Sequence, residues 1–223
     1  MARFVLIPGA GGAGWYWHRV VPLLEAGRHE AVAVELPGDD ESAGLAVYTE
    51  RVLRAIGDRK DIVLVAGSLG GFTAPLVCAR TPVRALVFVN AMLPKPGETA
   101  GEWWDNTGSE AARVEAARQG GYSTEFDIPT YFLHDVAPEV IQAGESEQHE
   151  EAKIIFREPC RFEAWPQVPT HVIVGREDRF FPLEFQRRVA RERLGLSIEE
   201  LPGGHLIALS QPEALSQRLL SYL

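Results

Sequence analysis

Six short apolar runs punctuate the chain, at residues 3–7, 31–36, 62–66, 85–90, 171–175 and 197–201, each bounded by Gly, Pro or Asp. Their near-continuous Val, Leu and Ile content predicts strands buried on both faces, as in a parallel sheet. Between them the apolar spacing changes to that of a helix. Residues 15–26 place Trp17, Val20, Val21 and Leu24 on one side, and 45–57 place Leu45, Tyr48, Val52 and Ile56 on one stripe. Residues 183–194 and 212–222 follow the same pattern, and helix-compatible sequence begins near Leu69. Strand alternating with helix predicts an α/β fold, a doubly wound sheet of about six mostly parallel strands with right-handed crossovers.

Residues 93–168 break this rhythm. They contain no convincing strand pattern, only helix candidates at 109–119, 138–146 and 148–157, and they hold Trp103, Trp104, Tyr122, Phe126, Tyr131 and Phe132. An insertion after a strand's C-terminal end sits over the edge where open α/β sheets bind ligands. The segment is therefore expected to be a small helical cap inserted after the fourth strand, with 1–92 and 169–223 forming the core.

Size and charge narrow the partners. A chain of 223 residues suits one such domain with an insertion. The net charge of −9 argues against nucleic acid or an anionic membrane as partner. That charge is concentrated, with 14 acidic against 4 basic residues between 97 and 158, which reads as a solvated surface of the insertion. No apolar run is long enough to span a bilayer, so the expected setting is cytoplasmic. Cys78 and Cys160 match no metal or redox spacing and are expected to be inert thiols. Homodimerisation is left open.

Two stretches carry candidate chemistry. "FVLIPGAGGAGWYW" holds Gly9, Gly11 and Gly14 as G-x-G-x-x-G after a strand, with Glu35 about 20 residues on, the outline of a dinucleotide site. Against that reading, Trp15, Tyr16 and Trp17 follow where small residues are needed for helix–strand packing. The alternative is a tight turn whose backbone N–H groups await an oxyanion. "IVLVAGSLGGFTAPL" places Ser68 between a β-run and a helix, flanked by Ala66 and Gly70, a variant of the G-x-S-x-G nucleophile elbow. A serine nucleophile needs a base and the base an orienting acid. Of six histidines only His205 follows the last strand, on a Gly-Gly turn; His171 opens a strand, His18 and His29 flank the first helix, and His134 and His149 lie in the insertion. Asp178, just past the fifth strand, is the better orienting acid than Glu177. Ser68, Asp178 and His205 thus follow the order Ser…Asp…His, each beyond a predicted parallel strand. Glu145 and His149, four apart, make one ligand pair at most, so no metal and no cofactor are expected.

These residues give the whole chain a resemblance to the α/β-hydrolase superfamily. Within it, "FVLIPGAGGAGWYWHRVVPLL", "VLVAGSLGG", "FFPLEFQ" and "GGHLIALSQPEAL" look most like the group of plant methyl-ester esterases and hydroxynitrile lyases. The resemblance implies a core lacking the superfamily's first antiparallel hairpin. Pro8 stands where relatives carry His. The lyases place Thr at the position of Gly9 and Lys after the catalytic His, where this chain has Leu206, so ester hydrolysis is favoured. The implied function is a serine carboxylesterase acting on a small or medium ester through Ser68, His205 and Asp178. Ala10 and Leu69 would supply oxyanion N–H groups, and Gly9, Trp15, Trp104, Phe132 and His134 would line the pocket. The alternatives are the same fold used as a lyase, as a carbon–carbon bond hydrolase or as a non-catalytic ligand binder.

Overall fold

Alternate side chains of a strand point to opposite faces, so a strand apolar throughout requires cover on both. The computed structural model, which describes residues 1–147 and 149–223, meets this requirement with a single six-stranded sheet. Its strands are β1 (Arg3–Ile7), β2 (Glu30–Ala33), β3 (Ile62–Gly67), β4 (Ala85–Val89), β5 (Thr170–Gly175) and β6 (Glu199–Leu201), in spatial order β2-β1-β3-β4-β5-β6. Every neighbouring pair is parallel. Phe4 and Leu6 of β1 enter one core, Val5 and Ile7 the other.

The chain runs outward from β1 to β2, returns past β1 to β3, then continues in one direction to β6. Right-handed crossovers put connections of opposite direction on opposite faces. Accordingly α1 (Val21–Ala26) and the C-terminal helix Pro212–Leu220 cover one side through Leu24, Leu215 and Leu219. The other side is covered by α2 (Leu45–Ile56), α3 (Ala74–Cys78) and α9 (Leu183–Leu194), through Val52, Val77 and Val189.

Several predicted bounds change, each for a local reason. The helix expected over 15–26 is a 3₁₀ turn at Gly14–Trp17, then a turn, then α1. Pro22 has no N–H to bond back to residue 18, so it fits the first turn of a new helix. β2 ends at Ala33 instead of 36, because the Leu36 N–H bonds to the Gly12 carbonyl and backs the glycine loop. A 3₁₀ turn (Ser68–Phe72) precedes α3.

Between β4 and β5 lie α4 (Ala100–Thr107), α5 (Ser109–Gly120), α6 (Ile128–Tyr131), α7 (Pro138–Ala143) and α8 (Ile154–Arg157). The helix expected over 138–146 stops at Ala143, where Gly144 packs against the Trp15 ring, and a 3₁₀ turn follows at Glu145–Glu147. Of the helix expected over 148–157 only α8 forms; Gln148 lies outside the described residues. The Ala152 and Lys153 N–H groups are bound to Gly38 O and the Glu41 carboxylate, so the chain there cannot close helical bonds. The unanticipated α4 carries a capping box, Thr99 and Glu102 each bonding the other's backbone N–H. Among the described residues no helix is long and apolar enough to cross a membrane.

A buried ion pair ties this segment to α9. Glu98 and Arg193 are both almost fully enclosed and bonded through both guanidinium Nη atoms. Glu98 also accepts from Lys95 N and Asn106 Nδ2, while Arg193 reaches Leu93 O. Burial opposes the charge on Glu98, but Arg193, Lys95 N–H and Asn106 together hold its carboxyl below the ordinary range. Glu98→Ala strands a buried cation and is expected to cost about 3–5 kcal/mol in urea unfolding. Because the folded pKa is depressed, the pair's contribution is complete above the unfolded value near about 4.3. It is lost as pH falls through the folded one. The variant should therefore lose less stability than wild type on acidification across that window.

Candidate active site

Since all six strands are parallel, the loops after β1, β3, β5 and β6 open at one edge of the sheet. The strand order reverses between β1 and β3, which opens a crevice there. Ser68 stands in it, at the end of β3, with a left-handed φ of 46°. Such a conformation is strained for serine and turns the side chain out of the sheet's edge. Two close approaches hold it. A Cβ on Gly9 would lie 2.8 Å from Ser68 Cβ, and one on Gly70 would meet the carbonyl of Pro8 at 2.5 Å. Ala66, where the elbow pattern has Gly, points its methyl into the core and is tolerated.

His205 follows β6. Its Nε2 lies 3.0 Å from Ser68 Oγ and its Nδ1 2.9 Å from Asp178 Oδ2. Phe132, Phe180 and Phe181 present ring edges and faces around the imidazole at centroid distances of 4.9–5.2 Å. Asp178 is buried as a carboxylate only because its acceptors are filled. Oδ1 takes the Phe180 and Phe181 N–H groups at 2.8 and 2.9 Å, and Oδ2 takes Gln186 Nε2 at 3.2 Å besides the imidazole.

Asn90, at the end of β4, was not singled out by its sequence, and it ties two of these loops to β4. Fully buried and itself at φ 46°, it donates through Nδ2 to the carbonyls of Gly204 (3.0 Å) and His205 (2.8 Å). Its Oδ1 accepts the Gly175 N–H at 2.7 Å, at the root of the Asp178 loop. An asparagine closing a strand is the one visible signal, since Asn tolerates left-handed backbone. Asn90→Ala is expected to lower kcat for an ester by about 10–100-fold with KM little changed, the scale for an ångström-sized misplacement of a reacting group. The loss should disappear when the same change is made in a His205→Ala background; a loss that persists there assigns Asn90 a purely structural part.

The glycine loop is held from two sides by carboxylates. Glu35 Oε2 accepts the Gly14 N–H at 2.8 Å, and Glu151 Oε2 accepts the Gly11 N–H at 2.6 Å while its Oε1 takes the Tyr48 hydroxyl. The acid that the dinucleotide pattern would aim at a ribose thus occupies the anion position itself, and Gly14 opens only a single 3₁₀ turn. Ala10 N–H makes no backbone hydrogen bond among the described residues. Leu69 N–H lies in the first turn after Ser68, where N–H groups lack partners within the helix. Both residues face the same space as Ser68.

That space is a cavity of about 370 Å³ lined by Gly9, Trp15, Trp104, Phe132, Ser68 and His205, among others. His134, expected in the pocket, is not part of the lining. Its ring packs behind Gly204, beside Asp135, whose Oδ2 accepts the Gly204 N–H at 2.6 Å. Burial lowers the His134 pKa. Of the other histidines, His171 bonds Glu199 and stacks on Tyr222, His18 is exposed, His29 is half-buried, and His149 is exposed at the cavity rim. Cys78 and Cys160 are free, and burial pushes both thiols up to about 12, so neither ionises at neutral pH.

Residues 4–218 match the family model described as "Alpha/beta hydrolase family". An α-hydroxynitrile lyase from Arabidopsis thaliana is 26% identical over 97% of this chain and 95% of its own length. Methylesterase 3 from the same plant is 27% identical over 97% and 94%. The crystal structure of polyneuridine aldehyde esterase superposes with a TM-score of 0.82 at 20% identity, covering 99% of this chain and 98% of that one.

Proposed function

The chain belongs to the alpha/beta hydrolase family, and from that premise we propose that it is a serine carboxylesterase with Ser68 as nucleophile, His205 as base and Asp178 as orienting acid. The observation that carries this is the hydrogen-bonded line Ser68–His205–Asp178, ending in an apolar cavity beside two backbone N–H groups. Its relatives include proteins named as esterases, which supports an enzyme of that type.

In the reaction, Ser68 Oγ attacks the ester carbonyl carbon while its proton passes to His205 Nε2. Asp178 fixes the imidazole tautomer with its proton on Nδ1 and stabilises the imidazolium that forms. The oxyanion is held by the N–H groups of Ala10 and Leu69, each such donor contributing about 3 kcal/mol to the transition state. Collapse expels the alcohol, which leaves with the proton from Nε2. Water then attacks the acyl-enzyme, losing its proton to the same nitrogen, and the acid departs with Ser68 restored. Residues 93–168 act as the cap over a core of 1–92 and 169–223, contributing Trp104, Phe126 and Phe132 to the cavity. The two free thiols suit a reducing, cytoplasmic setting.

The lyases of the group this chain resembles carry a Lys after the base. Leu206, after the base, lines the cavity, and among the described lining residues there is no Lys or Arg. Hydrolysis is therefore the reading of choice. A fluorophosphonate probe tests it: mass spectrometry should find the adduct on the peptide containing Ser68, and Ser68→Ala should abolish it. A wild-type protein that stays unlabelled overturns the proposal.

A further inference from the structure

We infer that the substrate is an uncharged, lipophilic ester, and that esters carrying a carboxylate are rejected. This rests on the serine esterase reading above and adds the chemistry of what enters the site.

Three independent features support it. The first is the wall. The described residues lining the cavity include no Asp, Glu, Lys, Arg, Asn or Gln, and beyond Ser68 and His205 the polar side chains are Tyr16, His149 and indole groups. A carboxylate taken into such a space would lose its hydration and find no Lys or Arg to pair with, a penalty far larger than any contact it gains. A hydrocarbon or aryl group of the same shape is favoured there, at about 25 cal/mol for each Å² removed from water. At about 370 Å³ the cavity lies in the range that encloses medium-sized organic molecules and exceeds what acetate esters need.

The second feature is the rim. Phe126 and Ile128 are about half exposed, and both line the cavity, whereas the other exposed large apolar side chains, Met1 and Val47, do not. Apolar side chains left in water at a cavity mouth extend its lipophilic path outward. The third is the field. The stretch from 97 to 158 holds 14 acidic against 4 basic residues and supplies both rim residues. A mouth in a negative segment repels anions before they arrive.

The test uses two esters of equal shape, p-nitrophenyl 6-methylheptanoate and mono-p-nitrophenyl adipate, which differ only in an isopropyl end against a carboxylate. The wild-type protein is expected to show kcat/KM at least 100-fold higher for the branched ester. Raising the salt should narrow the gap only slightly, since desolvation contributes most of it. Placing a cation in the wall with Ile141→Arg should cut the ratio at least tenfold. Comparable rates on the two esters overturn the inference while leaving the esterase reading intact, as does turnover confined to p-nitrophenyl acetate. No turnover of any of the three esters removes both.

Discussion

Ser68→Ala is expected to reduce kcat for p-nitrophenyl butyrate by about 10⁴–10⁶-fold, the range found when a triad nucleophile is removed. KM should change little, because the hydroxyl contributes to the transition state far more than to ground-state binding. A residual rate above water should survive, supplied by the N–H groups of Ala10 and Leu69 and by the cavity. The same site makes a second, opposite forecast. At φ 46° serine holds strained backbone, and glycine does not. Ser68→Gly should therefore be as inactive as the alanine variant yet more stable, by about 1 kcal/mol, or a few degrees in Tm for a chain of this size. Inactivity with raised stability separates loss of chemistry from loss of fold. A Ser68→Ala protein retaining a tenth of the activity removes Ser68 from the mechanism.

Asp178→Asn is expected to lower kcat by about 10⁴-fold at neutral pH, with the fold intact. The carboxylate has four donors aimed at it: two backbone N–H groups on Oδ1, Gln186 and His205 on Oδ2. An amide can accept on one side only. Its oxygen will stay with the Phe180 and Phe181 N–H groups, turning its NH₂ toward Gln186 and the imidazole. His205 then relieves the donor–donor contact by moving its proton to Nε2, where it faces Ser68 as a donor and can no longer act as base. The variant should bind a fluorophosphonate probe in the same site but react with it slowly. A loss below about 100-fold would assign the orientation of His205 to other groups, Asn90 first among them.

Much of this arrangement is legible in sequence because a parallel sheet converts chain order into place. Continuous apolar runs mark the strands, so β1 is bounded correctly at both ends, and whatever follows a strand lands at the same edge. That rule brings Ser68, Asp178 and His205 within reach of one another without any knowledge of the loops. It fails where a contact depends on a partner far along the chain. Glu151 meets Gly11 across 140 residues and looks like an ordinary surface acid in sequence, while Glu35, which the glycine pattern offers as a ribose ligand, binds the Gly14 N–H instead. Asn90 is a single polar letter at the end of a strand. His134 follows the aromatic Phe132 into the insertion, and only the packing of Asp135 onto Gly204 turns it away from the cavity. The segment 148–157 carries helical periodicity, but the Ala152 and Lys153 N–H groups are bound to Gly38 and Glu41 instead of closing helical bonds.

The sheet's order also sets when the chain becomes reactive. Ser68 and His205 are 137 residues apart, so at about 5–20 residues per second the ribosome makes the proposed nucleophile some 7–27 s before its proposed base. Throughout that interval the hydroxyl of Ser68 is an ordinary alcohol, whatever part of the sheet has already formed. His205 comes four residues after β6, a three-residue edge strand paired with β5. On the proposed triad its docking completes the site, so a nascent chain lacking β6 holds no base beside Ser68, and hydrolytic activity in a refolding experiment reports that β6 has docked.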